Sequence, residues 1–79
     1  MPELQKLLVI LARSLVEEPE AVEVSGTETD SRVDLELRVL PEDMGKIIGR
    51  QGRTIRAIRT VVKAASVKLG KRVNVEVPG

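Results

Sequence analysis

Two glycines three positions apart, Gly49 and Gly52, interrupt a run of helical periodicity, and that interruption limits the folds open to this chain. The run reads Ile47-Ile48-Gly49-Arg50-Gln51-Gly52-Arg53-Thr54-Ile55. Glycine takes positive φ without penalty and carries no Cβ, so the pair predicts a sharp bend between a short helix and a long one. The short helix opens after Leu40-Pro41-Glu42-Asp43, where proline suits a first turn and both carboxylates are expected to cap the positive end of the dipole. The long helix is expected from Arg53 to about Leu69, with Ile55, Ile58, Val62, Ala65 and Leu69 as its buried stripe and Gly70 as its stop.

Outside this unit the apolar spacing gives one more helix and three strands. Leu4, Leu7, Leu8, Leu11 and Leu15 recur at helical intervals, predicting a helix from Pro2 to about Glu18 that ends before Pro19. Val22 and Val24, then Val33, Leu35, Leu37 and Val39, alternate with polar residues, and the turn formers from Gly26 to Ser31 predict a hairpin between two strands. Val73, Val75 and Val77 give a third strand. The order is α-β-β-α-α-β. A helical crossover between the second and third strands favours their parallel pairing, with the second strand central. Because that strand has one apolar and one charged face, an α+β fold is expected: a three-stranded mixed sheet covered on one face by three helices.

Charge is divided along the chain. Between Met44 and Arg72 there are nine Lys or Arg and no acidic residue, so a net charge of +1 separates into +9 within the window and −8 outside it. Such a cationic surface attracts phosphates and releases counterions on meeting nucleic acid. With 79 residues the chain is expected to be one domain spanning 1–79. The lack of Cys and His disfavours thiolate or imidazole metal sites and most hydrolytic or redox chemistry. No catalytic residue, metal site or cofactor is expected. No apolar run reaches the roughly 20 residues that cross a bilayer, so a soluble cytoplasmic protein without a membrane segment is expected. The absence of Phe, Tyr and Trp removes aromatic stacking of bases, leaving amides, cations and aliphatic surface to hold a nucleic acid.

The bend itself is a candidate anion site. It feeds into the long helix, whose first amides lack intrahelical partners and whose dipole is positive there. Lys46, Arg50 and Arg53 surround it with charge, Arg56 on the polar side of the long helix is a further candidate contact, and Gly49 and Gly52 allow a sugar-phosphate chain to approach the backbone. Ile47, Ile48, Ile55 and Ile58 either anchor the helix pair or floor a narrow groove, and spacing does not assign them individually. A second stripe, Ala57, Val61 and Ala64, either widens the core-facing side of the long helix or allows another helix to approach as a dimer or partner seam.

Residues 47 to 55 fill every fixed position of the pattern Ile/Val-Ile-Gly-x-x-Gly-x-x-Ile, and the chain thereby resembles the KH domain. The element order resembles the type II, prokaryotic arrangement. In length and in the segment from Gly45 to Thr60 the chain is similar to the small bacterial KhpA family. That resemblance implies single-stranded RNA binding through Gly49, Arg50, Gln51 and Gly52, with about four nucleotides clamped. It also implies that the region from Gly70 to Val73, with Lys71 and Arg72, forms the far wall of the groove. An RNA chaperone or regulatory role, a heteromer with a larger KhpB-type KH protein, and a link to cell-wall and cell-shape control are implied in the same way. The alternative is a protein-interaction or dimerisation module with weak or no direct nucleic-acid binding.

Overall fold

Apolar residues at alternate positions give β2 (Arg32–Arg38) one fully buried face, Val33, Leu35 and Leu37, and this strand organises the molecule. In the computed structural model, which describes residues 2–78, it lies between β1 (Glu23–Glu28) and β3 (Arg72–Glu76). Met1 and Gly79 of the expected 1–79 unit lie outside the described residues. β1 pairs with β2 antiparallel, from Glu23 opposite Arg38 to Glu28 opposite Val33. β3 pairs with β2 in parallel, with Val33 opposite Val73 and Leu35 opposite Val75. The mixed sheet with β2 in the middle is therefore as expected.

Three helices, α1 (Pro2–Arg13), α2 (Met44–Ile48) and α3 (Arg53–Ser66), complete the α-β-β-α-α-β order. Leu4, Leu8 and Ala12 of α1 and Ile55, Ile58 and Val62 of α3 join the buried sheet residues and Ile47 in one cluster. The opposite sheet face carries Arg32, Asp34, Glu36 and Arg38, with Asn74 and Glu76 beside them. Two ion pairs on that face, Arg32 with Asp34 and Arg38 with Glu36, are solvated on both sides.

Several boundaries differ from the sequence reading, and Val22, Val39 and Val77 lie one residue outside β1, β2 and β3. Helix α1 stops at Arg13 rather than near Glu18, and Leu15 is exposed: the Ser14 hydroxyl donates to the Leu11 carbonyl, and the amides of Glu17 and Glu18 are held by Asp43. Strand β1 continues through Gly26, Thr27 and Glu28, because backbone pairing persists where side-chain alternation fades, and only Thr29 to Ser31 form the turn. Helix α3 ends at Ser66 in a 3₁₀ turn (Val67–Leu69), and its fourth buried residue is Ser66; Ala65 and Leu69 are exposed. Glu42 and Asp43 occupy a 3₁₀ turn (Pro41–Asp43) and make no side-chain cap on α2.

Candidate nucleic-acid interface

The junction between α2 and α3 is built from backbone conformations that side chains rarely adopt. Gly49 has φ 74° and ψ 172°, Gln51 has φ 57° and ψ 25°, and Gly52 has φ 75° and ψ 15°. Only Arg50 of the four keeps negative φ. Gly49 is required twice over: its dihedrals lie in a region reserved for glycine, and a Cβ there would fall 2.1 Å from Thr54 Oγ1. At Gly52 the φ alone matters, since a Cβ would meet nothing closer than Ile55 Cγ2 at 4.0 Å.

The turn uses some of the donors that an open helix start would leave free. The Gly52 amide donates to the Gly49 carbonyl at 3.2 Å, and the Arg53 amide to the Arg50 carbonyl. The long helix thus begins from a closed 3₁₀ turn (Arg50–Gly52), which corrects the expectation that its first amides are all unpaired. Arg56 reaches back so that Nη2 donates to the Gln51 carbonyl at 3.0 Å, bracing the non-glycine residue in its left-handed conformation. Arg50, Gln51 and Arg53 remain exposed around the turn.

Other candidate residues are distributed unevenly. Ile47 and Ile55 are core residues, while Ile48 is partly buried and keeps surface beside the loop. Lys46 stands 3.5 Å from Glu17 Oε1 and 3.7 Å from Asp43 Oδ1. Lys71 is bonded to Glu28, and that hydrogen bond holds the Glu28 carboxyl below its usual range, against a smaller opposing effect of burial. Arg72 pairs in register with Arg32, and with Lys71 it lines a cleft against Lys63, Ser66 and Val67 at the C-terminal end of α3. Lys63 and Val73 are shared between this cleft and the one lined by Arg59, Asn74 and Val75. Ala57, Val61 and Ala64 are all exposed, so this stripe does not widen the core.

Two basic residues that spacing did not single out lie further along α3, against β3. Arg59 Nε donates to the Val75 carbonyl at 3.2 Å, crossing from α3 to the free edge of β3. With Lys63, Val73, Asn74 and Val75 it lines a cleft of about 370 Å³ that has no carboxylate in its wall. The signal in the sequence was the spacing of Arg56, Arg59 and Lys63 on one side of α3, but its destination depends on where β3 docks.

A mixed three-stranded sheet under helices, with a glycine-bounded loop between α2 and α3, is a type II KH fold. A crystal structure of Aquifex aeolicus Era bound to GDP.AlF4⁻ superimposes with a TM-score of 0.67 at 21% identity, covering 95% of this chain and 29% of that one. A second, of Era in complex with MgGDPNP and nucleotides 1506–1542 of 16S ribosomal RNA, gives the same TM-score over 94% of this chain and 28% of that one. At that identity the likeness is one of fold, and this chain spans under a third of Era. The sequence matches the KhpA/KhpB KH domain over residues 5–77, and the chain belongs to that family. RNA-binding protein KhpA of Clostridium acetobutylicum is 54% identical over 74 residues, covering 94% of this chain and 99% of that protein. The proteins of the same name from Bacillus subtilis and Aquifex aeolicus are 45% and 42% identical, over 94% and 98% of this chain and 91% and 98% of theirs. These relatives are named for binding and not for a reaction. Among the described residues no helix is long and apolar enough to cross a membrane.

Proposed function

We propose that this chain binds single-stranded RNA, seating the sugar-phosphate backbone on Gly49 to Gly52 and laying unpaired bases in the cleft between α3 and β3. The observation that carries the reading is the loop: three of its four residues have positive φ, and exposed Arg50 and Arg53 stand on it. Backbone approach and positive charge then coincide at one place, at the start of the helix that further along walls a cleft with Arg59 and Lys63. Ile48 supplies aliphatic surface, Arg56 holds the loop, and Lys46 lies at its near side, shared with Glu17 and Asp43. Lys71 and Arg72 line the adjoining cleft, which shares Lys63 and Val73, and extend the cationic wall there. Family membership supports a role as an RNA chaperone or post-transcriptional regulator acting in the cytoplasm with a KhpB-type partner.

The test is the double substitution Arg50→Asp and Gln51→Asp, with folding checked by circular dichroism and affinity for a short oligouridylate measured by fluorescence polarisation. Reversing charge at the loop should weaken binding by about tenfold or more, and the wild-type affinity should fall with salt at a log–log slope near −2 for about three phosphate contacts. Unchanged affinity in the folded variant overturns the reading.

A second surface has its own observation. Ala57, Val61 and Ala64 expose a small-residue stripe on α3, with Val61 at 44% exposure, and that surface suits close packing of another helix in a homodimer or with the KH partner. Val61→Asp should lower the sedimentation mass of any such assembly; a mass identical to that of wild type removes the stripe from consideration.

A further inference from the structure

Asp43 is the one charged side chain buried among the described residues, at 2% exposure, and neither the core nor the proposed RNA contacts account for it. It ends the 3₁₀ turn that leads into α2. Its carboxylate does not cap that helix. Instead Oδ1 accepts from the Glu17 amide at 3.3 Å and Oδ2 from the Glu18 amide at 3.2 Å, gripping the segment between α1 and β1. Lys46, one turn further along, faces both Asp43 and Glu17 and closes the same connection from outside.

We infer that Asp43 is a positioning residue for the glycine loop, fixing where α2 presents it. Helix α2 has five residues, too few to hold a direction through its own hydrogen bonds, so its attitude is set by what grips its ends. Its C-terminal end is Gly49, whose amide bonds back to Gly45 and whose Cα packs on Thr54. Ile47 anchors the second half of the helix in the core, and the N-terminal end is held at the side by the Asp43 carboxylate. Hydrogen bonds from two amides to one carboxylate are directional and charge-assisted, so they fix an angle that apolar packing leaves free. The Glu17 and Glu18 residues are exposed and their amide bonds to Asp43 only partly buried, so water can reach these amides once the carboxylate is removed. Loss of Asp43 should therefore loosen the attitude of α2 more than it endangers the fold.

This inference rests on the RNA-binding reading for its functional consequence and not for its structural one. The experiment compares wild type, Asp43→Ala and Asp43→Asn by amide hydrogen exchange without RNA and by affinity for a short oligouridylate across a salt series. Asparagine keeps one acceptor and turns a donor toward the second amide, so its effect should be intermediate. The expected result is faster exchange at Glu17, Glu18 and Gly49 to Gly52 in both variants, with a loss of affinity of about tenfold in the alanine variant. The salt slope should not change, because no phosphate contact has been removed. Loop exchange or affinity identical to wild type overturns the inference, as does failure of both variants to fold, which would make Asp43 a folding residue only. If wild-type protein does not bind the oligouridylate, the RNA reading fails alone, and the exchange arm still decides whether Asp43 positions the loop.

Discussion

A methyl group added at Gly49 would lie 2.1 Å from Thr54 Oγ1 and 2.9 Å from the Thr54 main-chain nitrogen, so trimming the threonine would not make room for it. The dihedral penalty and the collision together should cost roughly 3 kcal/mol or more in Gly49→Ala. Gly52→Ala meets open space and pays only for left-handed backbone, roughly 1–2 kcal/mol. Urea denaturation of the two variants should separate them by at least about 1 kcal/mol. Equal losses would show that φ, and not the contact with Thr54, makes Gly49 necessary. The pair of glycines was legible in the sequence as a bend; their inequality was not, because it depends on Thr54 folding back over Gly49. Asp43 was misread for a related reason. A carboxylate before a helix is the ordinary cap, and nothing in the spacing reports amides 25 residues earlier in the chain.

The facing of α3 is decided by a choice between the i+3 and i+4 neighbours of Val62. Ala65 is the apolar candidate, but Ser66 is the buried one, its hydroxyl satisfied by the Lys63 carbonyl at 2.8 Å. That bond lets a polar side chain sit inside without an orphaned donor. Ser66→Lys should therefore cost roughly 1–3 kcal/mol by setting a buried cation among Lys63, Lys71 and Arg72, while Ala65→Lys should stay within about 0.5 kcal/mol. A thermal melt of each variant checks this, and the reverse order would rotate the helix back to the stripe read from periodicity. The helices, strands and their order were all evident from the change between periods of two and 3.6, as was the parallel partner of β2. Their ends were set by tertiary events: α1 by Asp43, β1 by continued backbone pairing, and the last turn of α3 by Gly70 with φ 66°. The cleft of Arg59 and Lys63 exists only once α3 lies beside β3.

Across the whole molecule, the division of charge is bridged where Lys71, at the end of the basic window, meets Glu28 at the end of β1. The Glu28 carboxyl titrates lower in the folded protein than its ordinary value of 4.5. The stability it contributes is present above the unfolded value and is lost as pH falls through the folded one. The urea midpoint of wild type should exceed that of Lys71→Met at neutral pH, and the gap should close as pH falls below the ordinary carboxyl value and through the lowered one. A gap that persists in acid would mean that Lys71 acts through its alkyl chain and not its charge. Parallel pairing between β2 and β3 carries a different consequence, for the order of folding. The β1–β2 hairpin is local and can form early. The other half of the sheet has to wait until the chain has passed through α2, the glycine loop and α3, because β3 arrives only after them. The glycine loop thus lies within the connection that closes last, and the chain completes its sheet only after it has shaped the junction between α2 and α3.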